Sequence, residues 1–219
     1  MQIGVIADVH ANEVELDAVL ADMPPVDGLV CAGDVVGYNP WPAECVEAIR
    51  DRGVPTIMGN HDRAVASATC FRFNRMAAAG VEHARAALSE AQLEWLRGRP
   101  DDRRAFDGRL KVVHGHPDDP DRYTYPAEFG PDLLGDEDAL VMGHTHLQHH
   151  ETYDEGIVLN PGSVGQPRDG DPRAAYALVD LEAGRVVERR VEYDVERVVA
   201  AVAEAGLPER IGTRLRAGE

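Results

Sequence analysis

Of the 22 basic residues in this 219-residue chain, only Lys111 is a lysine. They face 39 acidic residues, for a formal net charge of −17. With no basic stripe to track a polyphosphate backbone, long duplex nucleic acid is excluded as a first choice of partner. An acidic, nearly lysine-free composition fits either a GC-rich genome or a salty cytoplasm, where screening relieves the mutual repulsion of carboxylates. Cysteine is also scarce. Cys31, Cys45 and Cys70 are odd in number and lack Cys-x-x-Cys spacing, which argues against a disulfide framework or a zinc knuckle. They read as small hydrophobes in a reducing cytoplasm. No segment reaches the ~20 apolar residues of a membrane span, and the chain starts with a strand pattern rather than a charged leader. The expectation is a cytoplasmic protein without a membrane partner. Internal repeats and low-complexity tracts are missing too.

What is present is enough to fill a sizeable core: 44% of residues are hydrophobic. The expected organisation is one domain over residues 1–219 with a helical insertion at about 62–100. Ile3 to Ala7 is an apolar run of the kind buried on both faces in an α/β protein, and it ends in Asp8-Val9-His10. Asn12 reads as an N-cap with Glu15 completing a capping box, and Leu16, Val19, Leu20 and Met23 form the apolar stripe of a first helix. Gly28 to Ala32 repeats the plan, followed by a loop from Gly33 to Tyr38 and a helix from Pro42 to about Arg50. Pro55 to Met58 reads as a third strand. This alternation predicts a parallel sheet with right-handed crossovers. Helices are expected over Asn74 to Leu88 and Ala91 to Leu96, as a wall or lid. Arg109 to Gly115 returns to strand, and the loop His116 to Pro126, with Tyr123 and Tyr125, is a candidate recognition element. The pieces Gln148 to Tyr153, Ile157 to Asn160, Ala174 to Asp180 and Arg185 to Tyr193 suggest a meander forming a second sheet. Val195 to Glu204 reads as a terminal amphipathic helix, and the last dozen residues give no signal.

Five strand ends deliver similar chemistry: Asp8 and His10, Asp34, Asn60 and His61, His114, and the turn Gly143-His144-Thr145-His146. Asp8, His10, Asp34, Asn60, His114, His144 and His146 together offer two carboxylates, four imidazoles and an amide, enough for two metal ions. Without thiolate, this set prefers borderline divalent ions, with Mn placed first and Fe, Zn, Ni or Co as alternatives, while four imidazoles disfavour Mg and Ca. Two ions about 3.5 to 4 Å apart can share a water, which becomes largely hydroxide near neutral pH, and can neutralise two phosphate oxygens during in-line attack. A small phosphoester is the substrate class that suits such a pair.

Asp8-Val9-His10, Gly33-Asp34, Gly59-Asn60-His61-Asp62, His114-Gly115-His116 and Gly143-His144-Thr145-His146 resemble, in order and spacing, the motifs of the calcineurin-like metallophosphoesterases. Asn160-Pro161-Gly162-Ser163-Val164-Gly165 resembles the segment after the last ligands in the small bacterial and archaeal phosphodiesterase branch. The resemblance implies an α/β four-layer αββα sandwich of two mixed sheets flanked by helices, with a dinuclear site at one edge. It also implies that Asp8, His10 and His146 hold one metal, that Asn60, His114 and His144 hold the other, and that Asp34 bridges. His61 matches the histidine beside the scissile phosphate that serves the leaving oxygen, a catalytic role suited to imidazole. The phosphoprotein phosphatases of this superfamily read Gly-Asp-x-x-Asp-Arg, whereas Gly37 and Tyr38 stand at the last two positions here. The carboxylate that orients the histidine and the arginine that grips phosphate are both absent, so phosphoprotein is disfavoured, and Asp62 or a backbone carbonyl is left to orient His61. The retromer subunit with this fold lacks the histidine matching His61 and acts as a scaffold, so His61 favours an enzyme.

Outside the motifs, Asn12 and Ser163 keep structural readings as cap and turn. His149 and His150 point to opposite faces of a strand and read as solvent-exposed. His83 reads as surface, His116 as either pocket lining or loop support, and Arg168 as an open candidate for phosphate contact. The reading is a dinuclear metal-dependent phosphoesterase, preferentially a phosphodiesterase. A non-catalytic partner-binding scaffold and a nuclease on short ends stand as alternatives, and a homo-oligomer is left open.

Overall fold

The computed structural model describes residues 1–67 and 73–219. Cys70 lies outside the described residues, and Cys31 and Cys45 are buried free thiols, as expected of small hydrophobes.

Among the described residues the strands form two sheets, one of four strands and one of five. In the first sheet β1 (Gln2–Ile6) pairs in parallel with β2 (Gly28–Cys31), and the crossover between them is helix α1 (Glu13–Asp22). Asn12 caps α1 by accepting the Glu15 amide, as the sequence suggests, but the reciprocal contact differs. The Glu15 carboxylate accepts from Asn12 Nδ2 at 2.8 Å, so cap and helix are tied side chain to side chain. Helix α2 (Pro42–Asp51) begins on a proline, which has no N–H to leave unsatisfied at that position. The third strand expected at Pro55 to Met58 is reduced to one parallel bridge between Cys31 and Thr56.

Helices α3 (Asn60–Ser67), α4 (Arg75–Ala87) and α5 (Glu90–Arg97) follow. Asn74 caps α4 through the amides of Met76 and Ala77, and Ser89 with Gln92 closes a capping box on α5. The second sheet then collects β3 (Asp102–Ala105), β4 (Leu110–Val113), β5 (Ala139–Val141), β6 (His149–Thr152) and β7 (Ile157–Asn160) in the order β3-β4-β5-β7-β6. β3 carries three charged residues in four and gives no strand signal by itself. It exists because β4 offers it an antiparallel edge.

Strands β8 (Ala174–Asp180) and β9 (Arg185–Val191) correct the expected meander. They do not join β6 and β7. β8 pairs antiparallel with β1, from Gln2↔Asp180 to Val5↔Ala177, and the first sheet reads β2-β1-β8-β9. Six of the seven residues of β8 are buried, so both of its faces need cover. The helices supply one side and the second sheet the other.

Both sheets are mixed and flanked by helical segments. Ile3, Val5, Val30, Leu110, Val141 and Leu159 meet between the sheets. Ile6, Leu16, Val19, Val46, Ile49 and Leu96 fill the layer between the first sheet and its helices. The outer face of the second sheet, Leu140, Met142 and Val158, lies under Phe129, Leu133 and Leu134 from two short 3-10 turns, so this outer layer is thin. Helix α6 (Val195–Glu204) has the bounds read from the sequence. The final residues, silent in the sequence, form helix α7 (Arg210–Thr213) and a 3-10 turn. Ile211 and Leu215 pack there with Val198, Val202, Tyr38 and Ala77.

Candidate metal centre

The strands stop at one rim, and the turns that follow aim their polar side chains back across it. Asp8, His10, Asp34, His144 and His146 all have φ between 49° and 68°, in the left-handed region. Such backbone is costly for residues other than glycine and persists where its surroundings hold it. Here the surroundings are identifiable. Asp8 N donates to Gly33 O, His10 N donates to Asp34 O, and Gly165 N donates to Asp8 O at 2.9 Å. Ser163 Oγ also donates to Asp8 O, and Asn12 and Asn39 both donate through Nδ2 to Gly165 O. Asn12 and Ser163 keep their structural readings, and the turns they build carry the site. Gly59 is obligatory, because a Cβ there would lie 2.0 Å from Asp34 Oδ1.

All seven candidate donors and His61 come together. Their ligand atoms form three overlapping groups, Asp8 with His10 and His146, His10 with Asp34 and His61, and Asp34 with His114 and His144. Asn60 Oδ1 lies 3.2 Å from His114 Nε2. Asp34 is central: its Oδ2 is 3.7 Å from His10 Nε2 and 3.4 Å from His114 Nε2, and its Oδ1 accepts the His61 amide at 2.8 Å.

Backbone carbonyls fix which imidazole nitrogens face the centre. The Nδ1 atoms of His10, His114 and His146 donate to Val36 O, Ala32 O and Gln166 O, and His144 donates through Nε2 to Asp121 O. A carbonyl only accepts, so these nitrogens carry the protons and the other four are left to the centre, the arrangement typical of metal-binding histidines. His10 Nε2 and His146 Nε2 face each other at 3.1 Å. Two lone pairs so close repel unless a cation or a proton lies with them. The donor set and its orientation therefore fit borderline divalent ions.

Burial dominates the electrostatics. Desolvation raises Asp8 to about 7, pushes His10 and His146 well below the usual imidazole range, and lowers His61 to about 4 and His144 to about 3. His114 goes the other way. Burial opposes its charge, but the adjacent Asp34 outweighs this and raises it to about 10, while His114 in turn holds Asp34 well below the carboxylate range. In the absence of cations, the charge of Asp34 is thus balanced by a proton on His114.

Asp62 does not orient His61. Its carboxylate accepts from Val36 N and Gly59 N, each at 3.1 Å, and pins two site turns together. His61 is instead packed by two rings, Phe73 stacked on it and Tyr38 tilted by 35° against it, each with its centroid 4.7 Å away. Tyr123 stacks on His144 at 3.8 Å, which brings the 116–126 loop to the site. Asp34, His61, Tyr38, Tyr123 and Arg168 are among the residues lining a cavity of about 130 Å³. Tyr38 was legible in the sequence only as a departure from a motif, and Gln166 not at all. Their roles depend on contacts with distant segments. The remaining histidines stay outside. His149 and His150 pair with Glu151 and Glu188, His83 bonds Pro40 O, and His116 braces its own loop by accepting Asp118 N.

A family model described as the calcineurin-like phosphoesterase superfamily domain matches residues 1–184. The protein MJ0912 of Methanocaldococcus jannaschii is 32% identical over 238 residues, covering 99% of this chain and 98% of that protein. The crystal structure of a metallophosphoesterase from Sphaerobacter thermophilus superposes with a TM-score of 0.88 at 37% identity, covering 100% of this chain and 99% of that one. Phosphodiesterase YfcE of Escherichia coli (strain K12) is 39% identical over 82 residues, 36% of this chain and 38% of that protein. With these motifs, this fold and these relatives, the chain belongs to the calcineurin-like phosphoesterase superfamily.

Proposed function

We propose that this chain is a metal-dependent phosphodiesterase acting on small phosphate esters, with residues 1–219 working as one unit and α3–α5 forming a wall of the site. Asp8, His10 and His146 would hold one divalent ion, Asn60, His114 and His144 the other, and Asp34 would bridge, with Mn favoured and Fe, Zn, Ni or Co as alternatives. The observation that carries this reading is the position of Asp34 Oδ2, within 3.7 Å of one imidazole from each half of the donor set. When bound, two divalent ions neutralise phosphate oxygens and bring the pKa of a coordinated water down to about 7.

The chain's own residues do the rest. The backbone carbonyls of Ala32, Val36 and Gln166 hold three imidazoles in the tautomer that presents a lone pair. Burial keeps His61 neutral at physiological pH, so it serves the leaving oxygen as an N–H hydrogen-bond donor. The Tyr38 and Phe73 rings fix its plane in place of the missing carboxylate. The cavity is small, at about 130 Å³, which suits a phosphate with a small or protruding substituent better than a polymer.

Hydrolysis of bis(p-nitrophenyl) phosphate by protein loaded with Mn, Ni, Co or Zn tests the proposal. His61→Ala is expected to lower kcat by about 10²- to 10⁴-fold with its metal content intact. Asp34→Ala is expected to lose both activity and metal. Absence of turnover with all four metals would sink the proposal.

A further inference from the structure

The loop after β7 delivers a cation to the cavity. Arg168 lines it beside Asp34, His61 and His146, and no carboxylate among the described residues lies within ion-pair distance of it. Arg63, Arg97, Arg109 and Arg190 each meet carboxylates, so the charge of Arg168 differs from theirs in having no anionic partner at the cavity among the described residues. Its guanidinium is held by neutral acceptors. Nε and Nη2 donate to Gln166 Oε1 at 3.2 and 2.7 Å, and Nη2 also reaches the Tyr38 hydroxyl at 3.3 Å. Gln166 is fully buried, and its backbone carbonyl accepts from His146 Nδ1 at 2.6 Å while its side chain accepts from Arg168, so one residue sets both the imidazole and the arginine.

Resting on the phosphoesterase reading, we propose that Arg168 is the phosphate-gripping residue of this site. Tyr38 occupies the motif position at which phosphoprotein phosphatases carry their arginine, and its hydroxyl instead steadies an arginine supplied by a loop 130 residues away. A planar fork fixed by neutral partners keeps its full charge for an anion, and its donors match two phosphate oxygens. A dianionic group offers it an oxygen beyond those that divalent ions would take, so a phosphomonoester or a second phosphate feels its loss more than a simple diester does.

Inorganic phosphate titrated calorimetrically into Mn-loaded wild type, Arg168→Ala and Arg168→Lys tests this, together with metal content and kinetics on p-nitrophenyl phosphate and its bis ester. Arg168→Ala is expected to keep its metal, to bind phosphate about 10- to 100-fold more weakly, and to raise KM by a similar factor on the monoester with a smaller change in kcat. Arg168→Lys recovers part of that loss. Unchanged phosphate affinity and KM in Arg168→Ala, alongside an active wild type, would overturn the assignment and leave the phosphoesterase reading standing. Loss of metal in both variants would also overturn it, since Arg168 would then be loop scaffolding. A wild type that holds no divalent ion and cleaves neither ester removes the phosphoesterase reading itself.

Discussion

His61 Nδ1 is buried without a hydrogen-bond partner among the described residues, so the ring's orientation depends on stacking. Tyr38 does two jobs in that arrangement: its ring packs against His61 at a tilt of 35° and its hydroxyl accepts from Arg168. The two jobs separate by substitution. Tyr38→Phe is expected to keep kcat and raise KM a few-fold, because only the hydroxyl is lost. Tyr38→Leu is expected to lower kcat by about 2- to 10-fold more than Tyr38→Phe does, the worth of one aromatic pair. Steady-state kinetics on the two variants checks this, and equal kcat values would show that the ring does not orient His61.

At the level of elements, the turns matter more than the strands. The 160–168 loop is stitched to three other strand ends. Asn160 Nδ2 donates to Gly143 O and Thr145 Oγ1, Ser163 Oγ to Asp8 O, and Gly165 O accepts from two asparagines. Gly165 sits so close to the first turn that a Cβ would fall 1.8 Å from Val9 O. That atom is backbone and cannot swing aside. Gly165→Ala is therefore expected to destabilise the fold by about 2–4 kcal/mol and to reduce metal content, through displacement of Asp8 and His10. Scanning calorimetry with elemental analysis reads both, and a variant with an unshifted midpoint and full metal content would contradict it. α6 and α7 matter in the same way, since Val198, Ile211 and Leu215 pack the Tyr38 side of the cavity.

For the whole molecule, the charge state of the centre would make metal binding by the proposed donors a proton exchange. His114, raised to about 10, must lose a proton to become a donor, and so must Asp8, raised to about 7. Both groups bind protons more tightly than usual, so falling pH opposes the metal. The sign is fixed: affinity rises with pH, by about tenfold per unit between 7 and 10 and by about a hundredfold per unit below 7, where two protons compete. Calorimetric titration of Mn in buffers of different ionisation enthalpy measures the protons released. Release of none at pH 6 would show that the His114–Asp34 pair is not the metal-free state. Metal that binds only the folded chain also raises the thermal midpoint, so chelation at pH 8 is expected to lower it.

The residue types after five apolar runs were enough to single out the polar side chains that the fold gathers at one rim, because imidazole, carboxylate and amide groups in such positions have few other uses in combination. The strand and helix periods likewise located β1, β2, α4 and α6, since each buries a face whose spacing is written locally. The placement of β8 and β9 beside β1, the strand made from charged β3, and the reduction of the Pro55–Met58 strand to a single bridge were decided by edges and faces that other segments provide. The same holds for Arg168, Gln166 and Tyr38, which become a unit only when loops far apart in the chain close on one cavity. Donor chemistry is carried by the side chain itself, whereas orientation, tautomer and the pairing of a charge depend on neighbours that folding alone supplies.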